Sequence, residues 1–237
     1  GGAAVVPDGS AALDVPLVAA PPRSLRAVFD PLLPEPPEGH DALRASLRLL
    51  ADPDPLGLTP GSGERLVELD ATTAVPLGAT ELPYGDPAPG AWARRYWAKS
   101  RAGRRYHLPG TARAEVYCEG GAERSGPLDE LAAGPIGPRL WPPRALQVDG
   151  QGALGAALSA GAAPTVRWRP PALGDVSFYR LELRRLVQTP EGYGEARLAA
   201  TFLTTETEVR VPPGELRPGE TYLLALTAYG GVLEDVT

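Results

Sequence analysis

Proline and glycine interrupt this chain so often that long helices are the first architecture to be excluded. Each supplies 28 of the 237 residues. A proline inside a helix removes a backbone donor and clashes with the preceding turn, at a cost of about 3 kcal/mol. A glycine there costs about 1 kcal/mol relative to alanine. Short extended segments joined by turns remain, so an all-β chain is expected. Disorder throughout is excluded by a hydrophobic content of 43% against 22% charged residues. The length suits one to two domains of about 100–150 residues each.

The net charge is −6, which argues against nucleic acid as a partner. Cys118 is the only cysteine, so no intrachain disulfide forms and no thiolate cluster holds a metal. Two histidines, His40 and His107, are too few for a histidine-rich metal site. No cofactor and no metal are expected. No apolar run reaches the ~18–20 residues of a membrane-spanning helix, so no transmembrane segment is expected. The chain opens Gly1-Gly2, holds no methionine, and continues "AAVVPDGSAALDV". Such a start is expected of a processed, exported protein that is extracellular, on the cell surface or periplasmic. A lipid anchor in the precursor is a further expectation.

The chain divides in three: an N-terminal tail (1–12), a first unit (13–138) and a second unit (139–237). The proline-rich stretch Gly134–Pro143, "GPIGPRLWPP", marks the junction. In the second unit several short segments alternate apolar and polar residues. Val166 and Trp168 oppose Arg167 and Arg169; Tyr179, Leu181 and Leu183 oppose Arg180, Glu182 and Arg184. Segments 196–203 and 207–212 read as further strands, and 220–229 places Tyr222, Leu224, Leu226 and Ala228 on one face. Short strands at this spacing predict an antiparallel sandwich. In the first unit, 23–33, 63–76 and 111–120 read as strands. Segment 41–50 is ambiguous: Leu43, Leu47 and Leu50 fit a helix, Leu47 and Leu49 a strand.

The second unit resembles a fibronectin type III domain. Trp168 is followed by Pro170-Pro171, and Tyr179 opens the next strand. "GELRPGETYLLALTAY" supplies Leu216, Pro218-Gly219 and Tyr222. The last pattern is similar to a tyrosine corner, in which the hydroxyl caps the backbone of the preceding loop. The resemblance implies a final strand, for which only "GGVLEDVT" is left. In the first unit, "DVPLVAAPPRSLRAVFDPLL" and "YHLPGTARAEVYC" resemble parts of bacterial immunoglobulin-like domains. Together the two likenesses imply two tandem antiparallel β-sandwiches. They imply a non-enzymatic modular protein serving as spacer, adhesion or assembly module, of the kind found in surface proteins and beside carbohydrate-active catalytic domains.

No catalytic motif is present: no GxSxG, HExxH or phosphate loop. "ADPDPLG" sets Asp52 near Asp54, which could begin a calcium site; a stiff proline turn is the simpler reading. Cys118 would need a histidine beside it to act as a nucleophile, and His107 lies eleven residues earlier in sequence. A small buried hydrophobe is the simpler reading. The sharpest local feature is 91–107, "AWARRYWAKSRAGRRYH". It interleaves Arg94, Arg95, Lys99, Arg101, Arg104 and Arg105 with Trp92, Tyr96, Trp97 and Tyr106, and no acid occurs between Asp86 and Glu115. Arginine forks and tryptophan faces could bind an acidic polysaccharide or an acidic protein partner, with Trp92, Arg94, Arg95, Trp97, Arg101, Arg104 and Arg105 as the contact residues. The competing reading is a hairpin whose aromatics face the core and whose arginines are solvated or paired with this acidic chain's own carboxylates.

Overall fold

The computed structural model describes residues 3–5, 11–13, 22–27, 44–53, 63–72, 80–88, 90–107, 115–133, 136, 139–153 and 158–230. Within the tail, β1 (Ala3–Val5) and β2 (Ala11–Leu13) pair as an antiparallel ribbon. The first unit contains β3 (Pro22–Ala27), β4 (Arg44–Asp52), β5 (Glu64–Thr72), β6 (Thr80–Gly85), β7 (Ala93–His107), β8 (Glu115–Pro127) and the short helix α1 (Asp129–Ala133). The second contains β9 (Arg144–Val148), β10 (Gln151–Gly152), β11 (Thr165–Arg169), β12 (Phe178–Gln188), β13 (Gly194–Thr204), β14 (Glu208–Arg210) and β15 (Thr221–Tyr229). The chain is all-β, and every strand pairing is antiparallel. Phe29, Leu43, Asp54 and the expected last strand after Gly230 lie outside the described residues.

In the first unit a four-stranded sheet runs β5-β4-β7-β8, and β3 and β6 form a separate pair. Of the ambiguous segment 41–50, the described residues 44–50 are strand. Ala45, Leu47 and Leu49 alternate into the core; Leu50, in the opposite row beside Arg95, is buried as well. Partners on both sides of β4 satisfy its backbone, and this tertiary pairing overrides the local helical spacing. Leu47, Leu49, Tyr96 and Ala98 form the core floor. Leu25 of β3 and Tyr84 of β6 pack against it, and Leu131 of α1 and Ile136 complete the cluster. The helix was not apparent from the sequence, being too short to show a period.

The second unit is a sandwich of two sheets, β10-β9-β11-β14 and β13-β12-β15. Val148, Val166, Trp168 and Val211 meet Tyr179, Leu181 and Leu183 across its interior. Trp168 and Tyr179 meet edge to face at 5.3 Å, a favoured aromatic geometry. The Tyr222 hydroxyl accepts the Arg217 backbone N–H at 3.1 Å and donates to Glu220 at 3.0 Å. The polar tip of this residue is thereby satisfied beside an apolar core.

Among the described residues, the junction is fastened to the second unit, Arg139 at its start meets Glu130 of the first unit at 3.3 Å, and the two units also pack directly on each other. In the junction, the Trp141 N–H donates to the Leu173 carbonyl at 3.0 Å. Gly174, at φ +89°, lies so close that a Cβ would stand 2.1 Å from the Arg139 carbonyl oxygen. Only glycine meets both demands. Farther away, Val116 of β8 packs on Leu186 of β12 and Ala196 of β13. There a Cβ on Gly194 would stand 2.5 Å from the Glu115 carbonyl oxygen.

Candidate functional site

The basic-aromatic segment 91–107 is the centre of the first sheet, not a loop. Strand β7 pairs with β4 on one side and β8 on the other. Alternation therefore splits its side chains between two faces. Tyr96, Ala98, Ser100 and Ala102 are buried on the inner face, with Arg94 and Arg104 in the same row. Arg95, Trp97, Lys99, Arg101 and Arg105 occupy the outer row. Trp92 lies before the strand and is half-buried. The seven proposed contact residues thus do not form one surface: Trp97, Arg101 and Arg105 share the outer face with Arg95, while Arg94 and Arg104 do not.

Arg94 is part of a buried clamp. Its Nε donates to Asp86 Oδ2 at 2.8 Å, its Nη2 to the Ala88 carbonyl at 3.0 Å, and its Nη1 to the Trp92 carbonyl. Arg23 of β3 reaches the same Asp86 oxygen at 3.3 Å. Asp86 has no exposed side-chain surface. The Arg94 hydrogen bond, aided by both guanidinium charges, outweighs burial and holds the Asp86 carboxyl below its ordinary range. The clamp ties β3, the β6–β7 connection and β7 together.

On the outer face Arg48, Lys99, Arg101, Arg105 and His107 meet acids from neighbouring strands, and Arg65 meets one on its own. Arg48 and Arg65 both bind Glu68 of β5. Lys99 lies 3.4 Å from Glu123, and Arg101 bridges Glu119 at 3.0 Å and Glu123 at 3.2 Å. Arg105 and His107 share Glu115 at 3.3 and 3.4 Å. The Lys99 ammonium lies 3.1 Å from the Trp97 ring centroid, and the Arg48 guanidinium 5.6 Å from it. Desolvation pushes the Lys99 pKa down, and Glu123 opposes that shift. The hydrogen bond from Arg48, with that from Arg65, keeps Glu68 below the usual carboxylate range despite some burial. What reads in sequence as a concentrated positive run is, in the sheet, a ladder of alternating charge.

The acids that neutralise β7 were missed in sequence because they lie in another segment. Their signal was present: Glu115, Glu119 and Glu123 recur every fourth residue, which is one face of a strand. Glu130 of α1 was missed as well. It accepts from Tyr96 at 2.9 Å and Arg124 at 2.8 Å, and meets Arg139 of the junction at 3.3 Å. Burial pushes Glu130 up, but these donors prevail and lower it overall. Burial and the Glu130 hydrogen bond push the Tyr96 phenol up to about 12.

Cys118 and His107 are not brought together. Cys118 pairs with Arg104 and shares its inner-face row, whereas His107 belongs to the outer row. Burial raises the thiol pKa, against the opposing charge of Arg184, which disfavours the nucleophilic thiolate. Asp52 is buried at the end of β4. Among the described residues no group of three His, Cys, Asp or Glu is placed to hold a metal ion. No described helix is long and apolar enough to cross a membrane. No protein-family model matches the chain, and no curated protein matches it in sequence.

Proposed function

We propose that this is a non-enzymatic, exported bacterial protein whose two β units act together as a spacer or assembly module. The second unit is read as fibronectin type III-like, supported by the sheets β9-β11-β14 and β13-β12-β15 and by the capped Tyr222. The first is read as immunoglobulin-like, a looser likeness supported by its two antiparallel sheets. The observation that carries the spacer reading is that the units meet at two separated points, the Arg139–Glu130 ion pair and the packing of Val116. The junction backbone is fastened to the second unit at Trp141 and Gly174, Arg139 pairs with Glu130 of the first unit, and Val116 seats on Leu186 and Ala196. A module that holds its neighbours at a set distance needs a fixed angle between domains, and two separated contacts supply one. Residual dipolar couplings of the whole chain test this. One alignment tensor of equal magnitude for both units is expected; a clearly weaker tensor in one unit overturns the reading.

A second reading has the outer face bind an acidic polysaccharide. It draws on Arg105, whose side chain is 71% exposed, and on its cross-strand neighbour Tyr117, 50% exposed. A glycan array at low and physiological salt tests it, since such binding weakens with ionic strength.

A further inference from the structure

The end strands of the described sheets differ in how they are guarded. An unpaired strand edge is a template for another strand, and charges or shortness normally protect it. β5 carries Glu64, Arg65, Glu68 and Asp70; β8 carries Glu115, Glu119, Glu123 and Arg124. The pair β3 and β6 carries Arg23, Arg26 and Glu81. β10 and β14 are two and three residues long. β15 is followed, after Gly230, by residues outside those described. β13 is the exception. It is 11 residues long and ends its sheet, yet from Leu198 to its end at Thr204 it contains no charge, proline or glycine.

Its side chains fit an interface. Ala200 and Phe202 point inward and pack on the sandwich core. Leu198 and Leu203 point outward, opposite Arg184 and Arg180 of β12, and are 59% and 67% exposed. Two exposed leucines on an uncharged edge strand give a second strand apolar surface to cover. The same face is already an interface at its other end, where Val116 covers Ala196 and Leu186. The first unit thus packs on the start of β13, and among the described residues no contact of that unit with 198–204 is seen.

We propose that the β13 edge pairs antiparallel with β13 of a second copy of this chain, forming a two-fold dimer. Charge placement favours a copy over an unrelated strand. Arg197, paired with Glu195 of its own strand at 2.9 Å but still 55% exposed, stands just before the uncharged run and Glu206 just after it. An antiparallel copy brings the start of each strand to the end of the other, so each Arg197 faces the Glu206 region of its partner, twice by symmetry. Two uncharged runs of equal length then meet without a buried unpaired charge. Pairing along one edge buries less than the ~1,200–2,000 Å² of a standard interface, so the dimer is weak and concentration-dependent.

The test is sedimentation of the whole chain across concentrations, with Leu198→Lys and Leu203→Lys compared with the parent. Both leucines are exposed, so the monomer fold should survive, and circular dichroism checks that it does. The parent is expected to shift toward dimer as concentration rises, with slowed amide exchange confined to 198–204. Each lysine variant is expected to stay monomeric. If either variant fails to fold, Thr201→Arg on the same exposed row replaces it. A parent that stays monomeric up to about 1 mM, or a dimer that persists in the charged variants, overturns the proposal.

Discussion

Replacing Asp86 tests the clamp that closes the first unit. Its carboxylate is fully buried, with Arg94 16% exposed on one side and Arg23 54% exposed on the other. Asp86→Ala would leave the Arg94 guanidinium largely buried without this acid. Breaking a buried pair from one side costs about 3–5 kcal/mol. Two features favour the lower end. Arg94 keeps its bonds to the Ala88 and Trp92 carbonyls, and Asp86 Oδ1 is buried without a hydrogen-bond partner among the described residues, which already lowers the net value of the pair. A loss of about 3 kcal/mol is therefore expected. Asp86→Asn keeps the shape and one acceptor and should cost about 1.5–3 kcal/mol, the worth of a charge-assisted hydrogen bond. The assay is urea denaturation followed by NMR, residue by residue. Signals of β7 report the first unit, and signals of β12 serve as an internal control. The pH dependence gives an independent check. The folded pKa of Asp86 lies below its unfolded value. The clamp's contribution is therefore complete above about pH 4 and is lost as pH falls through the folded value. Asp86→Asn should remove that part of the acid sensitivity. If Asp86→Ala changes the stability of β7 by less than about 1 kcal/mol, the clamp is an ordinary surface pair and the reasoning fails.

Three further outcomes are expected. Spectrophotometric titration should show one tyrosine resisting ionisation to about 12, and Tyr96→Phe should abolish that step. Because the folded pKa is raised, this contribution is present below the unfolded pKa near 10 and lost as pH rises through the folded one. Gly194→Val places a side chain where a Cβ would already stand 2.5 Å from the Glu115 carbonyl oxygen. It should lift β8 from β13, seen as faster amide exchange at Val116 and unequal alignment of the two units; unchanged alignment would remove the support for a fixed angle. On a glycan array the parent should show no salt-sensitive retention of acidic glycans. Retention lost in Arg101→Ala/Arg105→Ala would favour the polysaccharide reading over the spacer.

Much of the second unit was legible in sequence. Alternation in 165–169, 178–186 and 221–229 marks strands half-buried against a core, and period two is a local property of the residues themselves. The large inward groups, Trp168, Tyr179 and Leu216, were legible for the same reason, as was the need of Tyr222 for a partner. The first unit was less open. Segment 41–50 carries both periods, and only pairing with β5 and β7 settles residues 44–50 as a strand. Helix α1 spans five residues, too few for periodicity to appear.

The candidate site shows the division most clearly. The residues of 91–107 by themselves determine that cations and aromatics are concentrated there and that alternate positions will part to opposite faces once the segment is extended. They do not determine which acids stand beside them. Glu68, Glu115, Glu119 and Glu123 come from β5 and β8, and strand register alone brings them within ion-pair distance of Arg48, Lys99, Arg101 and Arg105. The same holds for Asp86, eight residues from Arg94 in sequence but joined to Arg23 only through the fold. Composition fixes the sum of charges, which is the same folded or unfolded. Electrostatic interaction depends on distance and burial, and those are properties of the tertiary structure.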